Sequence, residues 1–462
     1  MGTTATDARA NGDAVAPHGA AALFEILRGW GVDYVFTCPG TTEVAFLDAS
    51  LDYPEVRVAL TTHESVAVAM ADGYARASGK PAAVYLHTNV GLTNGLAHLA
   101  AAHLARSPVV VLNGLKATAI QGRGGFTTAP AIRDFVRQYA KWDWQTLRAA
   151  ALGEDLNRAL KVAVAAPAGP TYLGLSQDLV ESAEPVPLPP VARHRVGGRV
   201  RPDPDAVAAA ARLLRAAERP LLVAGGELAR TGALGDLLAL AEALDAPVVG
   251  EDRRTIEVRA CPADHPHYAG LYAPSLEVVR AADVILLAGS RSFIEFEPSG
   301  APVVPPGATL LHLCADPAEI GKTYPADVAL VGDAGLGLAD LRAALGAAPQ
   351  PRAAQIARRD ARRRARDRYL AAQEAASQEA ERHAEAMPIR APALLHALAG
   401  LLGERTRLVA DAVTGSAGTL THLLPRAARG FDTTASGSLG WGMGAALGIK
   451  LAAPTDEVIA VV

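Results

Sequence analysis

The stretch Thr61-Thr-His-Glu-Ser-Val-Ala-Val-Ala-Met-Ala-Asp-Gly-Tyr-Ala-Arg-Ala-Ser-Gly79 sets one carboxylate, Glu64, at the opening of an otherwise apolar helix over Val66–Ser78. Ala67, Ala69, Met70 and Ala71 leave that carboxyl little water. A carboxyl group with no cation beside it and little solvent is a candidate for general acid–base work. The bland alternative is an N-terminal capping acid, favoured at the positive end of the helix. On this stretch alone the two readings stand even.

The flanking segments decide the fold. Asp33-Tyr-Val-Phe-Thr-Cys-Pro-Gly-Thr-Thr-Glu43 reads as a strand running into a Pro-Gly turn. Ala83-Val-Tyr-Leu-His-Thr-Asn-Val-Gly-Leu-Thr-Asn-Gly95 reads as a strand, then a polar glycine-containing loop, then a helix. Val32–Phe36, Ala83–Leu86 and Val109–Leu112 are apolar runs of strand length separated by alanine-rich helical stretches. Such alternation predicts parallel α/β sheets covered on both faces. Ligands collect at the strand C-terminal ends of such sheets, so all three segments put polar groups on one rim.

Three blocks follow. Residues 19–185 end near the Pro-rich run Pro185–Pro190, and a linker extends to about Arg201. Residues 202–347 carry strands at Pro220–Ala224, Val284–Ala288 and Thr309–Cys314. Pro349–Ala386 holds eight Arg and two Asp between Arg352 and Arg368; it reads as a solvated connecting helix rather than a nucleic-acid contact. Residues 388–462 carry a strand at Leu408–Ala410, a helix at Ser416–Leu424, a buried glycine-rich helix within Gly437–Ala453 and a strand at Val458–Val462 with the composition of a buried parallel strand. An ending inside such a strand suggests a fragment, or one half of a split enzyme.

The composition is that of an ordinary globular chain: 50% hydrophobic and 20% charged, with a net charge of −4. That charge offers no general attraction to nucleic acid or an anionic membrane. Cys38, Cys261 and Cys314 stand singly, with no metal or disulfide spacing, which suits a reducing cytoplasm. Residues 1–18 are small and polar and read as a tail, not a signal peptide. Gly437–Ala453, interrupted by Lys450 and repeated Gly, falls short of a membrane span.

The ordered motifs resemble the thiamine diphosphate (ThDP)-dependent 2-keto acid enzymes, the family of acetolactate synthase and benzoylformate decarboxylase. They are Pro39-Gly40, Glu64 with Ala71-Asp-Gly-Tyr-Ala-Arg76, and Ser107-Pro108 before a strand. Further on come Gly169–Asp178, Asp316-Pro-Ala-Glu-Ile-Gly321 and Gly437-Ser-Leu-Gly-Trp-Gly-Met-Gly-Ala-Ala446. The resemblance implies three doubly wound parallel-sheet domains: pyrimidine-binding (19–185), central (202–347) and diphosphate-binding (388–462), the last truncated. It implies that Glu64 protonates the cofactor's pyrimidine ring, so that the imino nitrogen removes the thiazolium C2 proton and the ring stores the electrons left after CO₂ departs. It also places Leu439 as the apolar wedge that bends the cofactor, and the backbone around Gly437 and Ser438 near the exocyclic amine. Thr414, Gly415 and Ser416 fall at the diphosphate. Pro39, Gly40 and Asn94 join the cofactor site. The family's Gly-Asp-Gly motif, whose oxygen ligands hold Mg²⁺, is expected beyond Val462, so no metal ligand is assigned.

Within the family, His87 falls where benzoylformate decarboxylase-like enzymes carry an active-site histidine, and Thr41 at their substrate-binding serine. Lys141-Trp142 also resembles those decarboxylases. Their second histidine is replaced: Ser292-Phe-Ile-Glu-Phe-Glu-Pro298 puts Ile294 there, which makes carboligation more plausible. Val223-Ala-Gly-Gly-Glu227 reads as a strand-end turn rather than a flavin site, so FAD is not expected. His265-Pro-His267 reads as a surface turn, and His98 and His103 do not share a helix face. Gln121-Gly-Arg-Gly-Gly125 is either an anion cradle or a mobile loop. The expected function is decarboxylation or carboligation of a small 2-keto acid by a cytoplasmic homodimer or homotetramer. The alternatives are an acetolactate synthase-type carboligase, or a non-catalytic or split-subunit partner without its own metal site.

Overall fold

The computed structural model describes residues 16–251, 263–291, 293, 302–346, 352–427 and 429–462. Cys261 and the position of Ile294 lie outside them, as do residues 1–15 of the polar tail. Two compact units form. One runs to Gly197 and takes in Met443–Ala453; the other is Gly198–Gly442 with Pro454–Val462.

The first unit is built on six parallel strands: β1 (Tyr34–Cys38), β2 (Arg57–Leu60), β3 (Ala82–His87), β4 (Val109–Leu115), β5 (Trp142–Gln145) and β6 (Thr171–Ser176), in the order β2-β1-β3-β4-β6-β5. β3, β4 and β6 are buried along almost their whole length because helices cover both faces. α1 (Glu64–Ser78) follows β2, and α2 (Thr88–Leu104) follows β3. α1 stops at Gly79, whose φ of +69° suits a left-handed cap and whose N–H returns to the Ala75 carbonyl.

No polar loop separates β3 from α2. The turn is made within His87-Thr88, Thr88 taking φ +49°, so the helix begins where a loop was expected.

The second unit carries two more parallel sheets. The central one has strands β7 (Pro220–Ala224), β8 (Val248–Gly250), β9 (Tyr268–Leu271), β10 (Val284–Ala288), β11 (Thr309–Cys314) and β12 (Val328–Val331), ordered β12-β11-β10-β7-β8-β9. The smaller sheet, ordered β14-β13-β15, is formed by β13 (Thr406–Ala410), β14 (Gly430–Thr433) and β15 (Glu457–Val461). β15 is an edge strand here and is half exposed rather than buried.

The arginine-rich segment is a 31-residue helix, α3 (Arg352–Arg382). It is less solvated than its composition suggests. Arg358 is fully buried, and its guanidinium donates to the carbonyls of Leu214 (2.9 Å), Arg215 (2.8 Å) and Ala217 (2.6 Å), where a helix of the central region ends. Buried guanidinium persists because those carbonyls have no intrahelical donor. The helix expected over Ser416–Leu424 is broken, with a helical turn at Ser416–Gly418, a π-turn at Thr419–Leu423 and a 3₁₀ turn at Leu424–Arg426 that contains Pro425.

The glycine-rich helix is α4 (Trp441–Ala452), and its C-terminal part packs on α1 inside the first unit. Its glycines allow that approach. A Cβ at Gly444 would stand 2.7 Å from the Ala69 Cβ, and one at Gly448 2.0 Å from the Met70 carbonyl oxygen. Only one face is buried; Met443 and Leu447 point to solvent in this chain, where the sequence suggested full burial. Gly437 and Gly440 precede the helix in left-handed conformations.

Candidate active site

Strand register levels the C-terminal ends of the first sheet: Thr37 pairs with Leu60, Cys38 with Leu86, and His87 with Gly114. Pro39, Gly40, Thr41, Glu64, His87 and Asn94 therefore stand on or beside one rim, as the three quoted segments predicted.

Glu64 is the first residue of α1 and is half-buried. It is not the cap. His63 takes that role, its ring accepting the Ser65 N–H at 3.1 Å. The Glu64 carboxylate is thus spared for other work. Asn94 Nδ2 donates to Oε2 at 3.0 Å. Gly91 lies under it; a Cβ there would come within 3.3 Å of Oε1. The nearby Cys38 thiol is pushed up in pKa by burial and by the charge of Glu64, which keeps it a thiol rather than a nucleophile.

Around His87 the chain builds a second cluster that includes a residue the sequence reading passed over. Glu43 is fully buried. Its Oε2 accepts the Gly40 N–H at 2.7 Å and faces His87 Nδ1 at 2.9 Å, while Thr42 donates its hydroxyl to Oε1. Thr42 Oγ1 also lies 2.9 Å from His87 Nδ1. Placing the Nδ1 proton toward this carboxylate leaves Nε2 as the free base of the ring. His87 keeps 21% of its side-chain surface exposed.

Two glycines make room for this pair: a Cβ at Gly40 would sit 2.5 Å from His87 Nδ1, and one at Gly114 would sit 1.8 Å from Glu43 Oε1. Beneath them, burial and then the Glu43 charge hold the Tyr85 phenol far above its usual pKa. Thr41 is exposed, and Lys116 Nζ reaches its hydroxyl at 3.4 Å, bringing a cation to the rim that the sequence reading also missed.

In the second unit, Thr414, Gly415 and Ser416 follow β13 as an accessible turn, and Gly437, Ser438 and Leu439 form the approach to α4. Asp411, directly after β13, anchors the second of these segments. Its buried Oδ2 accepts the N–H groups of Gly440 (2.8 Å) and Gly442 (3.0 Å), and its Oδ1 has no hydrogen-bond partner. Leu439 is 64% exposed, an unshielded apolar side chain on a left-handed glycine turn. Hydroxyls and amides at Thr414–Ser416 are a donor set that suits an anion. The acid–amide pair Glu64–Asn94 suits a pyrimidine ring. Each set, taken within its own unit, therefore has the chemistry of one end of ThDP: the acid–amide pair suits the pyrimidine, and the Thr414–Ser416 turn suits the diphosphate. Among the described residues no group of three or more His, Cys, Asp or Glu is placed to hold a metal ion.

Other candidates are structural. Lys141 Nζ caps carbonyls of Val162 (2.8 Å) and Ala165 (2.7 Å). His98 bonds the Ser65 carbonyl (2.8 Å), and His267 bonds the Ala246 carbonyl (2.7 Å). Gln121 ties its loop to the Lys116 carbonyl (2.6 Å) and the Ser176 hydroxyl (2.8 Å). A cavity of about 310 Å³ beside β9 and α3, lined by Tyr268, Leu271, Glu277, Arg364, Arg368 and Leu424 among others, contains none of the candidate residues.

Residues 17–135 match the N-terminal TPP-binding domain of thiamine pyrophosphate enzymes, and residues 207–341 match their central domain. The chain belongs to the thiamine pyrophosphate enzyme family. It is 32% identical to a probable 2-ketoarginine decarboxylase of Pseudomonas aeruginosa, over 94% of this chain and 74% of that one. It is also 32% identical to a probable acetolactate synthase large subunit of Methanocaldococcus jannaschii, over 71% of this chain but only 56% of that one, so the match spans little more than half of that relative. The crystal structure of benzoylformate decarboxylase from Polynucleobacter necessarius superposes with a TM-score of 0.80 at 26% identity, covering 96% of this chain and 80% of that one. No helix among the described residues is long and apolar enough to cross a membrane.

Proposed function

We propose that the protein catalyses ThDP-dependent decarboxylation, carboligation or both on a 2-keto acid, in the manner of a benzoylformate decarboxylase. The observation that carries this reading is the pairing on one rim of Glu64, held by Asn94 at 3.0 Å, with His87, held by Glu43 at 2.9 Å. When bound, ThDP supplies a nucleophilic carbon and an electron sink for the bond to CO₂. Glu64 would hold the proton shared with the pyrimidine ring, and Asn94 fixes its carboxylate. His87, oriented by Glu43, holds or delivers a proton at Nε2. Thr41, with Lys116 beside it, binds the keto acid's carboxylate. Thr414, Gly415 and Ser416 would hold the diphosphate, Leu439 on the glycine turn at Gly437 and Ser438 would supply an apolar contact to the cofactor, and Pro39-Gly40 would contribute to binding the pyrimidine end. Mg²⁺ is expected with the diphosphate.

A homodimer or homotetramer accords with the exposed Met443 and Leu447 on α4 and Val90 on α2, apolar side chains that a second copy would cover. Against a structural FAD stands the turn after β7, where Gly226 already gives its N–H to Glu251 at 3.0 Å. An acetolactate synthase-type carboligase is the second reading, favoured by the likeness to that family's large subunits.

The test is CO₂ release from a panel of small 2-keto acids by the full-length protein with ThDP and Mg²⁺, with and without an aldehyde or keto acid acceptor. Turnover of none of them contradicts the proposal. Release without ligated product marks a decarboxylase, and ligated product marks a carboligase.

A further inference from the structure

His87 stands on an unusual piece of backbone. It ends β3 at φ −80° and ψ 113°, and Thr88 enters the left-handed region at φ +49° to start α2 at once. A β-branched residue rarely adopts that conformation, and it persists only where its surroundings over-determine it. Thr88 does not stabilise itself; its side chain is buried, and Oγ1 has no hydrogen-bond partner.

The restraint comes from the neighbouring strand. Asn113 interrupts the apolar run of β4 and is fully buried. Its Nδ2 donates to the carbonyl of Leu86 at 2.8 Å and to that of Thr88 at 2.8 Å. Those are the two carbonyls on either side of His87. Both amide hydrogens are thereby used. Its Oδ1 accepts the Tyr172 hydroxyl from β6 at 2.9 Å. Burial raises the pKa of the Tyr172 phenol, so it remains a donor at any pH the enzyme meets. A buried polar side chain is costly unless its hydrogen bonds are made, and here both donors are spent on the junction while the acceptor is held by Tyr172. The adjacent Gly114, facing the other side of β4, makes the space for Glu43.

We infer that Asn113 is a positioning residue for His87. Its amide clamps the strained strand-to-helix junction, with Tyr172 behind it, and so holds the imidazole against Glu43 and Thr42. The inference rests on the reading of His87 as a proton-transfer group.

The test is a mutant cycle in the full-length holoenzyme. Asn113→Ala should lower kcat about tenfold with KM changed less than about twofold, since small misplacement of a catalytic group is felt in turnover. In a His87→Ala background the same substitution should change kcat by less than about twofold, because the two residues act as one unit. An equal loss in both backgrounds, or a folded Asn113→Ala enzyme with unchanged kcat, overturns the clamp. If His87→Ala itself keeps full activity, the proton-transfer reading fails instead. The clamp is then decided by the ring ¹H–¹³C signals of His87 in the apo protein: one sharp line in the wild type, and a split or broadened line in Asn113→Ala. A sharp line in both overturns it. Should Asn113→Ala not fold, Tyr172→Phe takes its place, and a loss of about two- to threefold that vanishes in the His87→Ala background is expected from one hydrogen bond to the clamp; no loss overturns it.

Discussion

The first sheet and the central sheet are both six-stranded and parallel, and both bury carboxylates at the C-terminal rim, yet they use them differently. In the first, Glu43 is fully buried but spends one oxygen on a partly exposed imidazole. In the central sheet, Glu251 accepts the Gly226 N–H and the Ser290 hydroxyl, both at 3.0 Å, and Glu227 accepts the Ala315 N–H at 3.4 Å. His312, on the same rim, is sealed too, with Nε2 donating to the Ser290 carbonyl at 2.9 Å. A buried acid becomes chemically useful when its partner still reaches solvent. When backbone amides and interior hydroxyls consume it, the acid holds the rim together.

That contrast can be broken most sharply at Glu64. Glu64→Gln should lower kcat of the full-length enzyme by roughly 10²- to 10⁴-fold while leaving its thermal midpoint nearly unchanged, since the amide keeps the size of the side chain. His87→Ala should cost less, about 10- to 100-fold in kcat, because other groups or water can carry the proton at reduced efficiency. Steady-state kinetics beside a melting curve checks both; a lowered melting point with kcat intact would make this rim structural as well.

The central rim should behave in the opposite way. Glu251→Ala removes the acceptor of a buried amide and a buried hydroxyl, so denaturant unfolding should show a loss of about 1–3 kcal/mol with kcat per folded enzyme unchanged. A fall in kcat without loss of stability would give the central rim a catalytic part.

The smallest effect is expected from pH. Burial, the leading cause, lowers the pKa of His312 and of His267 in the folded chain. The unfolded chain then binds more protons, so the stability these residues allow is complete above ~6.5 and is lost as pH falls below that value. His312→Gln should narrow the gap in denaturant midpoint between neutral and mildly acidic buffer. An unchanged gap would show that the acid sensitivity arises elsewhere.

Much of the fold was legible because it depends on local pattern. Pro220–Ala224, Val284–Ala288 and Thr309–Cys314 are strands with the expected ends, the first two unbroken apolar runs and the third interrupted only by His312 after its opening Thr309. Glu64 and His87 are singled out by the ordered motifs that resemble the family, since the residues alone leave Glu64 even with a capping acid and a lone rim histidine is usually structural. What escaped is non-local or conformational. Glu43 matters through a histidine one strand away, Lys116 through Thr41, and Asn113 through the carbonyls of Leu86 and Thr88 at the β3–α2 junction; no spacing along the chain announces these. The capping of α1 by His63 depends on that residue's extended backbone. The missing loop after His87 turns on Thr88, whose residue type argues against the conformation it adopts.

The central claim is that the Glu64 carboxylate activates a bound cofactor. Its most direct test is the rate of hydrogen–deuterium exchange at C2 of ThDP bound to the full-length protein, wild type against Glu64→Gln, without substrate. The account predicts fast exchange in the wild type and a drop of at least about a hundredfold in the variant. Equal exchange rates at equal cofactor occupancy would contradict it.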